Sequence, residues 1–276
     1  AGINRLSMGI QSFQDTLLTA IGRIHDAQQA ISAVEAARGA GFDNFNLDLM
    51  FGLPGQTPAQ ALADLQLAVA LEPAHLSWYE LTIEPNTWFH CHPPERPSDE
   101  TLLEMQTGGQ ALLSGAGYRR YEVSAYARPG RECRHNLNYW QFGDYLGIGA
   151  GAHAKITDAS TQTVRRIAKL KQPRGYIDNA HRETRISSSA ELSSADVILE
   201  FVMNSLRLDA GFTAVDFKAT TGLPWSHIEP RLQDAIENGW LTKNNDRICT
   251  TLKGQRYLDE LLQQWLPEPA RYAETR

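Results

Sequence analysis

The chain has 276 residues, 42% of them hydrophobic, enough to bury a core in one large domain or two unequal ones. A net charge of −6 offers no basic field to nucleic acid or an anionic membrane, and no apolar run is long enough to span a bilayer. Cys91, Cys133 and Cys249 stand too far apart for a disulfide framework or a zinc spacing, which points to a reducing, cytoplasmic setting.

The chain opens on Ala1-Gly2-Ile3-Asn4, directly against a strand pattern and without an initiator Met, so a fragment lacking an N-terminal portion is expected. Arg5 to Gln11 alternates as a first strand, with Leu6, Met8 and Ile10 on one side and Ser7, Gly9 and Gln11 on the other. Ser12-x-x-Asp15 has the form of a capping box and opens a short helix. A second helix follows His25-Asp26 and runs through Ala40, burying Ala30, Val34 and Ala37. Phe45 to Phe51 is the second strand, with Phe45, Leu47 and Leu49 facing one way and Asn46 and Asp48 the other. A buried parallel strand normally reads as continuously apolar, so polar residues on one face suggest a polar barrel interior. Thr57-Pro58-Ala59-Gln60 starts the next helix, whose buried stripe is expected at Leu62, Leu65 and Val69.

A third strand is predicted over His75 to Ile83, then a loop to Pro97, a helix capped by Ser98, and a single fourth strand from Tyr118 to Tyr126. Strands alternating with helices over short links argue for a parallel α/β sheet, either open or part of a larger barrel. The Ser-rich stretch 184–196 reads as a linker between residues 1–183 and a C-terminal domain of residues 197–276. Beyond it come helices over Ala195 to Leu206 and Ile228 to Asn238, two short strands around Asn244-Asn245-Asp246, and a last helix carrying Leu258, Leu261, Leu262 and Trp265. That order is winged-helix-like. From residue 190 onward nine Lys/Arg face thirteen Asp/Glu, however, so phosphate attraction is weak and a packing or regulatory module is favoured over a DNA reader.

Asp48 is the first candidate for chemistry: either a structural acceptor at a strand end or a carboxylate that chelates two ribose hydroxyls. Gln11 ends the neighbouring strand with an amide that donates and accepts. Arg23 alone is a surface arginine, but with Gln11 and Asp48 it makes a clamp for a ligand carboxylate. The second constellation is HNLNYW at 135–140, where His135 lies near Tyr139 and Trp140. These residues are either core or an imidazole ligand for heme iron with ring walls for a porphyrin. Arg134, Arg165, Arg166, Lys169 and Lys171 either meet propionates or form a solvated basic run. Cys133 reads as a small semi-buried residue rather than a thiolate ligand. His90-Cys91-His92 falls in a Pro-rich loop that disfavours metal binding. GIGAGA at 147–152 is a weak dinucleotide signal without the acidic residue that should follow.

NRLSMGIQSF at 4–13, GRIH at 22–25, FNLDLMFGLPGQT at 45–57, HLSWYELTIEPNT at 75–87 and HNLNYW resemble the radical S-adenosylmethionine proteins of the HemN/HemW group over nearly the whole chain. The resemblance implies the later strands of a partial (β/α)6 barrel plus a HemN-type C-terminal domain. It places Gln11, Arg23 and Asp48 at the adenosylmethionine, with Tyr79 and Thr82 as weaker contacts. It implies a heme role for His135, Asn136, Tyr139 and Trp140, because an HNxxYW motif marks the heme-chaperone branch. The cofactors implied are S-adenosylmethionine, a [4Fe-4S] cluster and heme, and the partners are heme and a heme-acceptor protein. The family's three-cysteine cluster motif does not occur here. Its ligands are expected upstream, and this stretch alone is expected to be inactive in radical chemistry. The rival reading is oxygen-independent coproporphyrinogen III oxidase, and an unrelated one is a barrel hydrolase or lyase using Asp48 and Glu122 as acid and base.

Overall fold

Alternation between apolar and polar residues decides which way the central sheet faces. In the computed structural model, which describes residues 2–158, 160–161 and 163–266, strand β1 (Leu6–Gln11) turns Ile10 into the core. Helices α1 (Asp15–Ala20) and α2 (Ala27–Gly39) follow, the latter burying Ala30, Val34 and Ala37 as expected. Strand β2 (Phe45–Phe51) buries Phe45, Leu47, Leu49 and Phe51 on one face. A one-residue slip would turn all four into the polar face, at a cost of roughly 1.5–3 kcal/mol per side chain.

Helix α3 (Pro58–Ala70) begins with the predicted Thr57/Gln60 capping box. Its buried stripe is Ala61, Asp64, Leu65 and Ala68, not Leu62 and Val69, which are half-buried. The stripe includes a carboxylate because the helix turns Asp64 onto Ser12 and Phe13, just past the end of β1. Strand β3 (His75–Glu80), the single turn α4 (Trp88–Cys91) and helix α5 (Asp99–Gly115) complete the predicted run, with Ser98 capping α5. Gly109 of α5 sits where a Cβ would lie 2.0 Å from the Trp78 ring, so helix and strand approach closely only because it is glycine.

The expected single strand from Tyr118 to Tyr126 is instead a hairpin, β4 (Arg119–Glu122) and β5 (Ala125–Ala127). The chain reverses at Val123-Ser124, so β5 inserts between β3 and β4. The five-stranded order is β1-β2-β3-β5-β4, with β1, β2 and β3 parallel and β5 antiparallel to both neighbours. The expected all-parallel arrangement holds only for the first three strands.

The chain divides into two units, Ala1–Cys133 and Arg134–Arg276. The second begins with α6 (Arg134–Trp140), which carries HNLNYW. A meander of β6 (His153–Asp158), β7 (Thr163–Lys169) and β8 (Ile186–Glu191) follows, with α7 (Pro173–Asp178) between the last two strands. Within the Ser-rich stretch 184–196 read as a linker, residues 186–191 form an edge strand and the next helix begins at Ser194. The serines of that strand suit exposure along its length, and Ser187 Oγ donates to Ala168 O across the pair.

Helices α8 (Ser194–Ser205), α9 (Ala214–Thr221) and α10 (Glu229–Glu237) and the predicted hairpin β10 (Leu241–Asn244) and β11 (Arg247–Thr250) come next. The short strand β9 (Phe212–Thr213) adds to the hairpin's edge, and α11 (Leu252–Arg256) and α12 (Leu258–Gln263) close the described chain. Phe201, Phe212, Phe217, Ile248 and Leu261 anchor this unit's core. Residues 267–273, part of the expected C-terminal domain, lie outside the described residues, as do 274–276.

Candidate functional site

Gln11 ends β1 in an unusual backbone state. Its φ is 69°, and Ser12 N donates back to Ile10 O at 2.9 Å, which closes a γ-turn around it. A left-handed non-glycine costs energy and persists only where neighbours hold it. Asp64 is one holder, accepting from Ser12 Oγ at 2.6 Å and Phe13 N at 2.9 Å. His25 is another, with Nε2 donating to Ile10 O at 3.0 Å. The predicted Ser12 capping box is not formed: Ser12 donates to Asp64 while accepting from Gln14 N, and Gln14 is the N-cap of α1 but its side chain caps nothing, donating instead to Gln60 O. Burial pushes the Asp64 carboxyl up, against the lowering effect of the bonds from Ser12, Phe13 and Gln14.

The buried Gln11 side chain turns back over the sheet, where its Oε1 accepts from Tyr79 OH at 2.9 Å. Gly9 makes room for it, since a Cβ there would lie 2.9 Å from Gln11 Nε2. Burial raises the Tyr79 phenol above its ordinary value. The Asp48 charge adds to the rise, and the Arg23 guanidinium and the Gln11 bond oppose it. Gln11, Arg23, Asp48 and Tyr79 therefore share one electrostatic neighbourhood, although they come from β1, the stretch after α1, β2 and β3. Asp48 accepts from Ser7 Oγ at 3.0 Å and Asn46 Nδ2 at 2.8 Å. Thr82 is exposed and donates to Glu84 at 3.2 Å, outside this hydrogen-bonded group.

Residues the sequence reading passed over lie beneath Asp48. His75 is fully buried, and its ring nitrogens meet Asn46 Oδ1 at 2.6 Å and Tyr121 OH at 2.8 Å. The signal available was parity: Asn46 shares the polar face of β2 with Asp48, and His75 is its register partner on β3. Glu122, the acid–base partner that a hydrolase or lyase reading pairs with Asp48, is buried and accepts from Ser124 Oγ at 3.2 Å.

In the second unit, His135 and Tyr139 lie one turn apart on α6. The exposed imidazole stands edge-on to the Tyr139 ring at 4.8 Å, and Tyr139 packs on Tyr145 at 4.4 Å. Asn136 is half-buried on the same helix, and Arg207 covers one face of the half-buried Trp140 ring at 4.4 Å. Asn138 Nδ2 donates to Asp144 O at 2.9 Å, tying the end of α6 to the turn that follows. Lys155 underlies that turn: its buried ammonium donates to Phe142 O at 3.0 Å and Asp144 Oδ1 at 2.8 Å. Burial lowers the Lys155 pKa against the opposing pull of Asp144. The Asp144 carboxyl is held low because bonds from Lys155 and Thr157 outweigh its own desolvation. Arg166 is bonded to Glu200 and Tyr145, so it is not the open propionate partner considered from sequence.

Weaker sequence signals resolve into structure. His92 stacks on Trp88 at 3.8 Å, and no group of three His, Cys, Asp or Glu able to hold a metal occurs among the described residues. GIGAGA leads into strand β6 rather than a helix, which removes the dinucleotide geometry. Cys91, Cys133 and Cys249 are unpaired.

Comparison with known proteins agrees with this architecture. Residues 1–68 match the radical SAM superfamily model and residues 192–257 the HemN C-terminal domain. The heme chaperone HemW of Escherichia coli (strain K12) is 46% identical over 97% of this chain and 70% of its own length. The heme chaperone HemW of Haemophilus influenzae is 46% identical (97% and 69%), and that of Bacillus subtilis (strain 168) 34% (97% and 71%). Coproporphyrinogen III oxidase (HemN) from Escherichia coli, a radical SAM enzyme, superposes with a TM-score of 0.74 at 22% identity. That match covers 96% of this chain and 64% of that one, and it shows the shared fold.

Proposed function

The chain belongs to the HemW family of radical SAM proteins, and from that premise we propose that it binds heme through its HNLNYW segment and passes it to an acceptor protein. The observation that carries this reading is the exposed His135 imidazole set edge-on against Tyr139. Among the described residues no hydrogen bond occupies that imidazole, so its lone pair is available to a metal. Heme is the cargo here: His135 supplies a nitrogen donor, and Tyr139 and Tyr145 supply ring surface. Asn136 and Trp140 complete the segment, with Trp140 packed beneath Arg207.

The group formed by Gln11, Arg23, Asp48 and Tyr79 has the donors and acceptors that S-adenosylmethionine needs. Asp48 offers a carboxylate to the ribose hydroxyls, Arg23 a guanidinium to the methionine carboxylate, and Gln11 an amide fixed by Tyr79. Thr82 stands at the margin of this set. When bound, adenosylmethionine is the group that radical SAM proteins draw on for radical chemistry; this chain's residues orient it. The described residues do not gather ligands for an iron–sulfur cluster, and no step is derived through one. We place the protein in the cytoplasm on its unpaired cysteines and assign it no nucleic-acid partner. Among the described residues no helix is long and apolar enough to cross a membrane. Nothing in the site favours the coproporphyrinogen oxidase reading over the chaperone.

Titration with hemin tests the proposal. Saturable binding with a Soret band that shifts or weakens in His135→Ala is expected. An identical band and affinity in the variant would remove His135 as the ligand.

A further inference from the structure

The polar face of the parallel sheet carries a row of side chains set by register: Ser7 on β1 faces Asn46 on β2, which faces His75 on β3. Their hydrogen bonds have one consistent direction. An ionised Asp48 only accepts, so the nitrogen of the Asn46 amide must face it. Asn46 Nδ2 also donates to Ser7 Oγ at 2.7 Å, and Ser7 donates on to Asp48 Oδ2 at 3.0 Å. The amide oxygen is thereby turned to His75, so the ring proton sits on Nδ1, 2.6 Å away. Nε2 then accepts from Tyr121 OH at 2.8 Å. Ser77 Oγ reinforces the amide oxygen at 3.2 Å.

This direction requires a neutral ring. Burial, aided by the nearby Arg5 charge, lowers the imidazole pKa to about 3. Ser7 and Asn46 take one acceptor position on each Asp48 oxygen. A carboxylate has about four, so one on each oxygen is left for a pair of hydroxyls.

We propose that His75 and Asn46 are positioning residues for Asp48, holding its two oxygens for a ribose diol through a tautomer that the Asn46 amide oxygen fixes and Tyr121 accommodates. This deepens the adenosylmethionine reading and rests on it.

The test compares wild-type chain with His75→Asn and His75→Leu. The Asn amide nitrogen falls near the place of Nδ1, so it keeps the donor to Asn46, whereas Leu removes it. Both variants lose the Tyr121 bond, so a merely structural role would weaken binding in step with stability in both. By calorimetry, S-adenosylmethionine should bind His75→Leu about ten-fold more weakly than wild type and His75→Asn within about three-fold. Independently of any variant, imidazole 15N shifts of the wild-type protein should show His75 protonated at Nδ1 and not titrating between pH 8 and pH 5, about two units above its folded value. Undiminished binding by His75→Leu, equal losses in both variants, or a ring protonated at Nε2 would overturn the inference while leaving the cofactor reading standing. Wild-type protein that binds no S-adenosylmethionine would overturn the cofactor reading itself, and the inference with it.

Discussion

Tyr79 and Gln11 lie 68 positions apart, yet the phenol of one donates to the side-chain carbonyl of the other at 2.9 Å. That bond spans β1 and β3 with β2 between them, and β2 carries Asp48. The amide of Gln11 is thus aimed by a strand that is not its neighbour, from a backbone that is itself in a γ-turn.

Gly9→Ala probes that aim. The new Cβ would crowd Gln11 Nε2 at 2.9 Å, and the mobile end of that side chain must give way. Gly9 is not in the left-handed region, so stability should change by less than about 1 kcal/mol. Affinity for S-adenosylmethionine should fall about five-fold, the net worth of one hydrogen bond. Calorimetry beside a urea melt separates the two effects, and a loss of stability without loss of affinity would contradict the placement of Gln11.

His75 should make the fold acid-sensitive. Its folded value of about 3 lies below the ordinary 6.5, so below pH 6.5 the unfolded chain takes up a proton that the native state refuses. Stability is full above that pH and falls as pH drops toward about 3, at up to about 1.4 kcal/mol per pH unit. Urea midpoints measured from pH 7 to pH 4 should show this slope, and His75→Asn should flatten it. Parallel curves for the two proteins would count against a neutral buried ring.

Asp64 has the opposite sign. Its folded value is raised, so its contribution is complete below the unfolded value of 3.8 and is lost as pH rises through the folded one. Asp64→Asn should therefore gain stability relative to wild type between pH 4 and pH 7. Asp64→Ala should lose about 1–3 kcal/mol, because Phe13 N and Ser12 Oγ are left without their acceptor. Denaturant melts at two pH values check both statements.

Lys155→Met keeps the stem but removes the ammonium that bonds Phe142 O and Asp144. Asp144 is partly exposed and can recruit water, so a cost of about 1–3 kcal/mol is expected rather than that of a fully buried pair. The turn after α6 should loosen, and hemin affinity should fall without any change in the Soret position, since His135 itself is untouched. A moved band would mean that Lys155 acts on the ligand directly.

The alternation of Phe45, Leu47 and Leu49 with Asn46 and Asp48 was enough to place the carboxylate on a polar face, because side-chain direction in a strand depends only on parity. The Thr57 capping box and the β10–β11 hairpin were equally readable, since each is closed by residues a few positions apart. What tertiary structure alone decided depends on distant partners. Ser12 had the spacing of a cap but gave its hydroxyl to Asp64, 52 residues on. Tyr118 to Tyr126 read as one strand and became two because β5 found β3. Residues 186–191 of the Ser-rich stretch became a strand because β7 offered them an edge. His75 gave no signal of its own, for its role is fixed by Asn46, 29 residues before it, and Tyr121, 46 after. Local geometry sets which way a side chain points; only the folded sheet sets what it meets.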